Sequence, residues 1–359
     1  MRAAGPPATC SVVTLLCCML AASAAAQAPS PQVDSEAPRK VARLFRTEVP
    51  IVVTLSADFR TLFRDRDTLT VRRDSATITF TSDSGPVTLP VAIGTRGHFR
   101  LRSTTCDFPP IRVFFDKEKV RRTPFGGNGS LKLVTHCGKG ERYEQNLLLE
   151  HGIYRAYNRL TELSFRTRLA KVTYADTQDP ARTLTRYGFF LEDDDEMAKR
   201  NGGKILPMVG GGLDEMDPAQ LDLVTVFQYL IGNTDWSVIM IHNIRLVQVE
   251  GHPYFQPVAY DFDWSGVVNA TYARPDARLG TKHVRERVYR GACRPMDVMA
   301  ATLARLTAAR DSIRDAFATL PDLEPKRLED VLRYLDDGFR VIERPQDFKQ
   351  EQTRACYRE

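Results

Sequence analysis

The densest set of residues able to do chemistry lies between Gly232 and Gly266. Asn233, Asp235, His242 and Asn243 follow an apolar helical pattern, and Asp261 and Asp263 follow a short apolar strand. Polar side chains at the mouths of core elements are well placed for function. Asp and Asn oxygens from two segments form a hard-cation donor set, suited to Mg²⁺ or Mn²⁺ with phosphate oxygens completing the shell. Asp261 and Asp263 share a face if the strand runs through them; if it has ended, spacing does not fix their directions. The same residues admit a structural reading, with Asp235 capping a turn and Asp261 paired to an arginine. They also admit a carbohydrate-active one, with Asp235 and Asp261 or Asp263 as acid and base about 5 to 9 Å apart. Trp236 and Trp264, the only tryptophans, directly follow Asp235 and Asp263 and would wall a pocket or pack the core.

A phosphate site needs a cation as well. Lys132 lies in the strand pattern Leu131-Lys132-Leu133, just before a helix carrying Glu144 and Glu150. A strand lysine held by a helix carboxylate is one way to position a nucleotide phosphate; a solvated strand face is the other reading. Gly126-Gly127-Asn128-Gly129 has N–H groups for an anion but matches neither Gly-x-Gly-x-x-Gly nor a Walker loop, so it reads as a tight turn. The chain has no Gly-x-Ser-x-Gly and no His-Glu-x-x-His. His136 beside Cys137 is a Cys-His pair only if the thiol stays reduced.

Short β-rich pieces are expected over Pro50–Leu55, Thr68–Arg72, Ala76–Thr81, Val87–Ile93, Phe99–Ser103 and Ile111–Phe115. Leu131–Thr135, Ala170–Tyr174, Tyr187–Glu192, Ile239–Val249 and Gln256–Tyr260 follow as further strands. Helices are expected over Glu144–Leu163, from the acidic start Asp193–Glu196, and from Asp217-Pro218, where Pro suits the first turn. Met296–Leu320 and Glu324–Val341 complete a helical C-terminal third. The order is β first, mixed in the middle and α last, an α+β chain.

Composition bounds the rest. The chain has 359 residues, 43% hydrophobic and 26% charged, which excludes collagen-like, disordered and disulfide-scaffold classes. Arg2, the apolar run Val12 to Ala26 and the Ala-rich exit describe a signal peptide over residues 1–26, and so an exported protein. No later run approaches the roughly 20 residues of a membrane span. Four cysteines then remain; order along the chain favours Cys106 with Cys137 and Cys293 with Cys356. The net charge of +5 is interspersed, with 11 lysines against 39 arginines, and gives no stripe for nucleic acid.

Three stretches together resemble the spore-coat CotH kinase-like family of secreted atypical protein kinases. They are Leu131 to Arg155, the run Tyr187-Gly188-Phe189-Phe190-Leu191-Glu192, and Asn233-Thr234-Asp235 to His242-Asn243 followed by Asp261-Phe262-Asp263. The resemblance implies an N-terminal β-rich region followed by an atypical protein-kinase-like two-lobed core with a helical C-terminal part. The corresponding layout is a signal peptide (1–26), a disordered lead-in (27–45), a β-rich region (46–120), an N-lobe-like part (121–203) and a C-lobe-like part (204–359). It implies a phosphotransferase moving a phosphoryl group from ATP, with Mg²⁺ or Mn²⁺, to a secreted or envelope protein acceptor. Asp235 would orient the acceptor hydroxyl, and Asn243, Asp261 and Asp263 would hold the metal. Lys132 with Glu150 or Glu144 would position phosphate, and Glu192 would lie near the adenine. A surface or envelope binding protein without catalysis is the alternative on the same scaffold.

Overall fold

The computed structural model describes residues 1, 5, 40–66, 72–207 and 211–357. The chain divides into two units, Met1–Pro38 and Arg39–Glu359. Of the first, only Met1 and Gly5 are described, both outside regular structure. The signal segment, most of the lead-in and, apart from Arg72, the strand expected over Thr68–Arg72 lie outside the described residues.

The second unit is built on a closed seven-stranded barrel. Its strands are β1 (Ile51–Ala57), β2 (Asp74–Ser82), β3 (Gly85–Thr95), β4 (Ile111–Phe114), β5 (Ser130–Val134), β6 (Thr167–Asp176) and β7 (Leu184–Leu191). Their order around the barrel is β1-β2-β3-β4-β5-β7-β6, and β1 closes the ring by pairing parallel to β6, Val53 opposite Val172. Alternation along the strands sends one side chain in two inward. Val53, Leu55, Ile78, Ile93, Val113 and Leu133 thus fill a core shared by both ends of the ring. Closure gives every strand two neighbours, although β3 meets β4 only over Ala92–Thr95. Two short helices punctuate it, α1 (Phe59–Arg64) after β1 and α2 (Lys117–Val120) before β5. Phe99–Ser103, expected as a strand, is a run of turns.

α3 (Glu141–Asn158) is the central element. It touches β6 and β7 on one side and the helix Arg310–Ala318 on the other, which is why every side chain from Gln145 to Tyr157 is buried. Gly152 belongs there for space: a Cβ would sit 2.7 Å from the Phe317 ring.

The remainder is a helical region with a small sheet. α4 (Asp194–Arg200) follows the barrel, capped by Asp193. β8 (Gly203–Ile205), β9 (Ile244–Val249) and β10 (Gln256–Ala259) form a three-stranded antiparallel sheet. α5 (Pro218–Ile231) begins where the Asp-Pro pair predicts, with the Asp217 carboxylate accepting from the Gln220 N–H at 2.8 Å. It ends at Gly232 in the left-handed region, φ 64°. The expected long helix from Met296 is two, α6 (Met296–Ala308) and α7 (Arg310–Ala318), followed by α8 (Pro325–Ile342) and α9 (Pro345–Ala355).

The α+β class holds, but the two-lobed kinase-like core does not. Strands from both sides of residue 120 close one barrel, and the helices gather beyond it as a separate C-terminal region. The parallel β1–β6 pairing makes the difference, because it ties the start of the β-rich stretch to strands far along the chain. Both disulfides form as chain order suggests, Cys106 to Cys137 and Cys293 to Cys356. Two bridges agree with an oxidising, non-cytoplasmic environment. No helix among the described residues is long and apolar enough to cross a membrane.

Candidate functional site

The structure brings part of the expected cluster together. The Asp235 carboxylate takes His242 Nε2 at 2.9 Å on one oxygen and the Asn243 amide, donating at 3.0 Å, on the other. Asn243 also donates to the Asp235 carbonyl at 2.7 Å. β10 has ended at Ala259, and Asp261 turns into the left-handed region, φ 62°, with its N–H donating to the Tyr154 hydroxyl at 2.8 Å. Asp263 therefore follows a turn and accepts from the Tyr272 hydroxyl at 2.8 Å. Trp236 is buried, and Trp264 meets Phe99 edge to face at 5.2 Å.

The phosphate half is arranged differently from the expectation. Lys132 is buried because β5 is covered on both faces, and it pairs with Asp194 at 2.5 Å instead of Glu150 or Glu144. Asp194 also accepts from Arg245 Nε at 2.8 Å. Burial works to raise the Asp194 carboxyl, but Lys132 and Arg245 outweigh it and hold it below the ordinary range. Glu144 accepts from the Tyr187 N–H. Glu192 is clamped by Arg200, whose Nε and Nη2 each donate at 3.0 Å. These groups are fastened to one another as parts of the packing.

Glu150 lies behind them, with Arg100 Nη1 3.9 Å away. Burial, then the Asp263 charge, lifts the Glu150 carboxyl well above its ordinary range. Burial, then Asp261, lifts Asp263 to about 7. The space enclosed by Arg100, Glu150, Asp263 and Tyr272 is about 10 Å³. That holds at most one water. Among the described residues no three His, Cys, Asp or Glu side chains gather to hold a metal ion. With the barrel fold and no kinase-type cleft among the described residues, this overturns the phosphotransferase reading.

A roomier site lies at one end of the barrel. A cavity of about 690 Å³ opens between α1, the ends of β6 and β7, and the loops around Asp107 and Lys139. Its floor is aromatic: the Phe108 centroid is 4.5 Å from those of Phe63, Tyr174 and His136, and Phe59 meets Tyr174 at 5.7 Å. Arg60, Arg64, Lys139, Arg182 and Arg186 line it against only two carboxylates, Asp107 and Asp176. Two polar atoms closed off behind the lining, the Tyr174 hydroxyl and His136 Nδ1, have no hydrogen-bond partner among the described residues. Burial, then the Arg186 and Arg100 charges, pushes His136 down to about 3, so its ring is neutral at ordinary pH.

Local sequence explains how this site is held. Asp58 caps α1 by accepting from the Thr61 N–H at 2.9 Å, and the four-residue spacing of Phe59 and Phe63 puts both rings on one helical face. The Cys106–Cys137 bridge ties the loop carrying Asp107 and Phe108 to the segment carrying His136, Gly138 and Lys139. Arg66, two residues past the end of α1, fastens the same loop by donating to the Cys106 carbonyl at 2.6 Å. Sequence reading passed over this site. The signal available was the Phe-Arg-x-x-Phe-Arg run after β1, with aromatic and cationic residues each four apart. No protein-family model matches the chain, and no curated protein is found similar to it.

Proposed function

We propose that this chain is a binding protein for an amphipathic monocarboxylate, an aryl or alkyl acid received in the open end of the barrel. One observation carries the reading: a cavity of about 690 Å³ that joins an aromatic floor to a rim of five cations set against two carboxylates. The volume falls in the usual range for a small-molecule site. The apolar body rests on Phe59, Phe63 and Phe108, and the carboxylate meets the cationic rim, where Arg60, Lys139 and Arg186 have no carboxylate partner among the described residues. The protein works outside the cytoplasm, in the periplasm, the envelope or the medium, where its disulfides persist.

Calorimetric titration with 2-naphthoate, decanoate and their methyl esters tests this. One acid binds one-to-one, and its ester binds more weakly. Arg186→Gln weakens the acid about five-fold, the value of roughly 1 kcal/mol of charge interaction. Absence of binding by either acid, or equal affinity for acid and ester, contradicts the proposal.

A further inference from the structure

A second cavity, of about 640 Å³, lies in the long connection between β10 and α6, against the start of α3. Arg142, Arg274, Lys282 and Arg285 bring positive charge to it. Two acids stand against these four cations, Asp330 beside Arg285 and Glu286 in the lining. Asp330 takes Arg285 at 2.5 Å and Arg333 at 2.9 Å. The Glu286 carboxylate accepts the N–H groups of Lys282 and His283, both at 2.8 Å, and so closes its own turn. Arg274 is fixed by donation to the carbonyls of Thr271 and Ala273 at 2.9 and 3.1 Å, not by a carboxylate. Arg142 and Lys282 make no ion pair among the described residues. Behind the cavity Arg327 adds a further cation, bonded to the Asn146 side chain and the Val268 carbonyl, with its Nε unpartnered among the described residues. Burial, then the nearby Arg142 charge, depresses Arg327. Like charges gathered in this way repel one another in the absence of an anion.

We infer that this cavity is a second binding site, independent of the barrel mouth, for a phosphorylated ligand bearing two or more negative charges. Arg142, Arg274 and Lys282 supply the charge-assisted hydrogen bonds, and Arg285, held over the Tyr334 ring at 4.5 Å and fixed by Asp330, supplies a rigid fourth donor. The phosphate has two possible sources, free in solution or on a lipid headgroup, and the two arms of the test separate them.

The test uses inorganic pyrophosphate by calorimetry and vesicles of equal parts cardiolipin, whose headgroup carries two phosphates, and phosphatidylcholine by sedimentation. The double variant Arg142→Gln/Lys282→Gln, both at exposed positions, is compared with the native chain, with thermal unfolding as the check on folding. Pyrophosphate binding that the variant weakens at least ten-fold supports a soluble ligand. Vesicle binding weakened to the same extent, without pyrophosphate binding, supports a headgroup. Binding of neither, or binding that the folded variant leaves unchanged, overturns the inference. Should the double variant fail to fold, Arg274→Gln alone is read by the same criteria.

Discussion

The ring of Phe108 lies 4.5 Å from the ring of Tyr174. One is on a loop two residues beyond Cys106 and the other on β6, so their contact depends on what holds that loop. The Cys106–Cys137 bridge does so, with the Phe108 N–H donating to the Cys137 carbonyl at 2.8 Å. Replacing both cysteines by serine therefore has two effects: a stability loss of about 3 kcal/mol and weaker carboxylate binding. The Cys293/Cys356 double serine variant is the control, since that bridge joins the loop before α6 to the end of α9. It loses stability of the same order in chemical denaturation and keeps its affinity. Equal loss of affinity in both variants contradicts the assignment.

Asp263 makes stability depend on pH. Its carboxyl is raised to about 7 in the folded chain, by burial and then by Asp261, against about 3.9 when unfolded. Between those values the native state holds a proton that the unfolded state has lost, so stability falls as pH rises from about 4 to 7. Asp263→Asn keeps an acceptor for the Tyr272 hydroxyl and removes the charge. Thermal melts should show a flatter pH profile and a gain of about 1–3 kcal/mol at pH 8. An unchanged profile contradicts the placement of Asp263 among buried acids.

Glu192 serves packing. Its carboxylate and the Arg200 guanidinium are both 2% exposed, and Glu192 also accepts from the Arg166 N–H at 2.9 Å. Glu192→Gln leaves the guanidinium without its buried counter-charge. The cost is about 3 kcal/mol, at the low end for a broken buried pair, because Arg200 keeps bonds to Glu162 and Ser164. Chemical denaturation measures it. Native stability in this variant contradicts the account.

The sequence was informative where structure is local. α5 is bounded by Asp217-Pro218 and Gly232, whose capping chemistry is written in three residues. Strands β1 to β3 alternate in burial as their sequences do. Barrel closure was not legible, because the parallel pairing of Val53 with Val172 depends on chain folded between them, not on any local pattern. The partner of Lys132 is illegible for the same reason: both faces of β5 are covered, and Asp194, which takes the ammonium, opens a helix 62 residues later. Asp235, His242 and Asn243 do come together, as their place after one helix suggested, yet they bond to one another. The barrel-mouth site draws on Phe59, Phe108, His136, Tyr174 and Arg186, residues that only the closed barrel and its disulfide bring together.

The Gly232 backbone tests the helix boundary. It sits at φ 64°, and a Cβ there would meet the Tyr334 hydroxyl at 1.9 Å. Gly232→Ala therefore combines left-handed strain with a clash and should cost more than about 1 kcal/mol in thermal or chemical unfolding. A neutral effect contradicts the packing of α8 on the end of α5.

The most direct test of the central claim is where a bound acid lies. Intermolecular nuclear Overhauser effects should connect the apolar protons of bound 2-naphthoate or decanoate to the rings of Phe63, Phe108 and Tyr174. Effects confined to residues elsewhere, with these rings silent under saturating ligand, would contradict the barrel-mouth site.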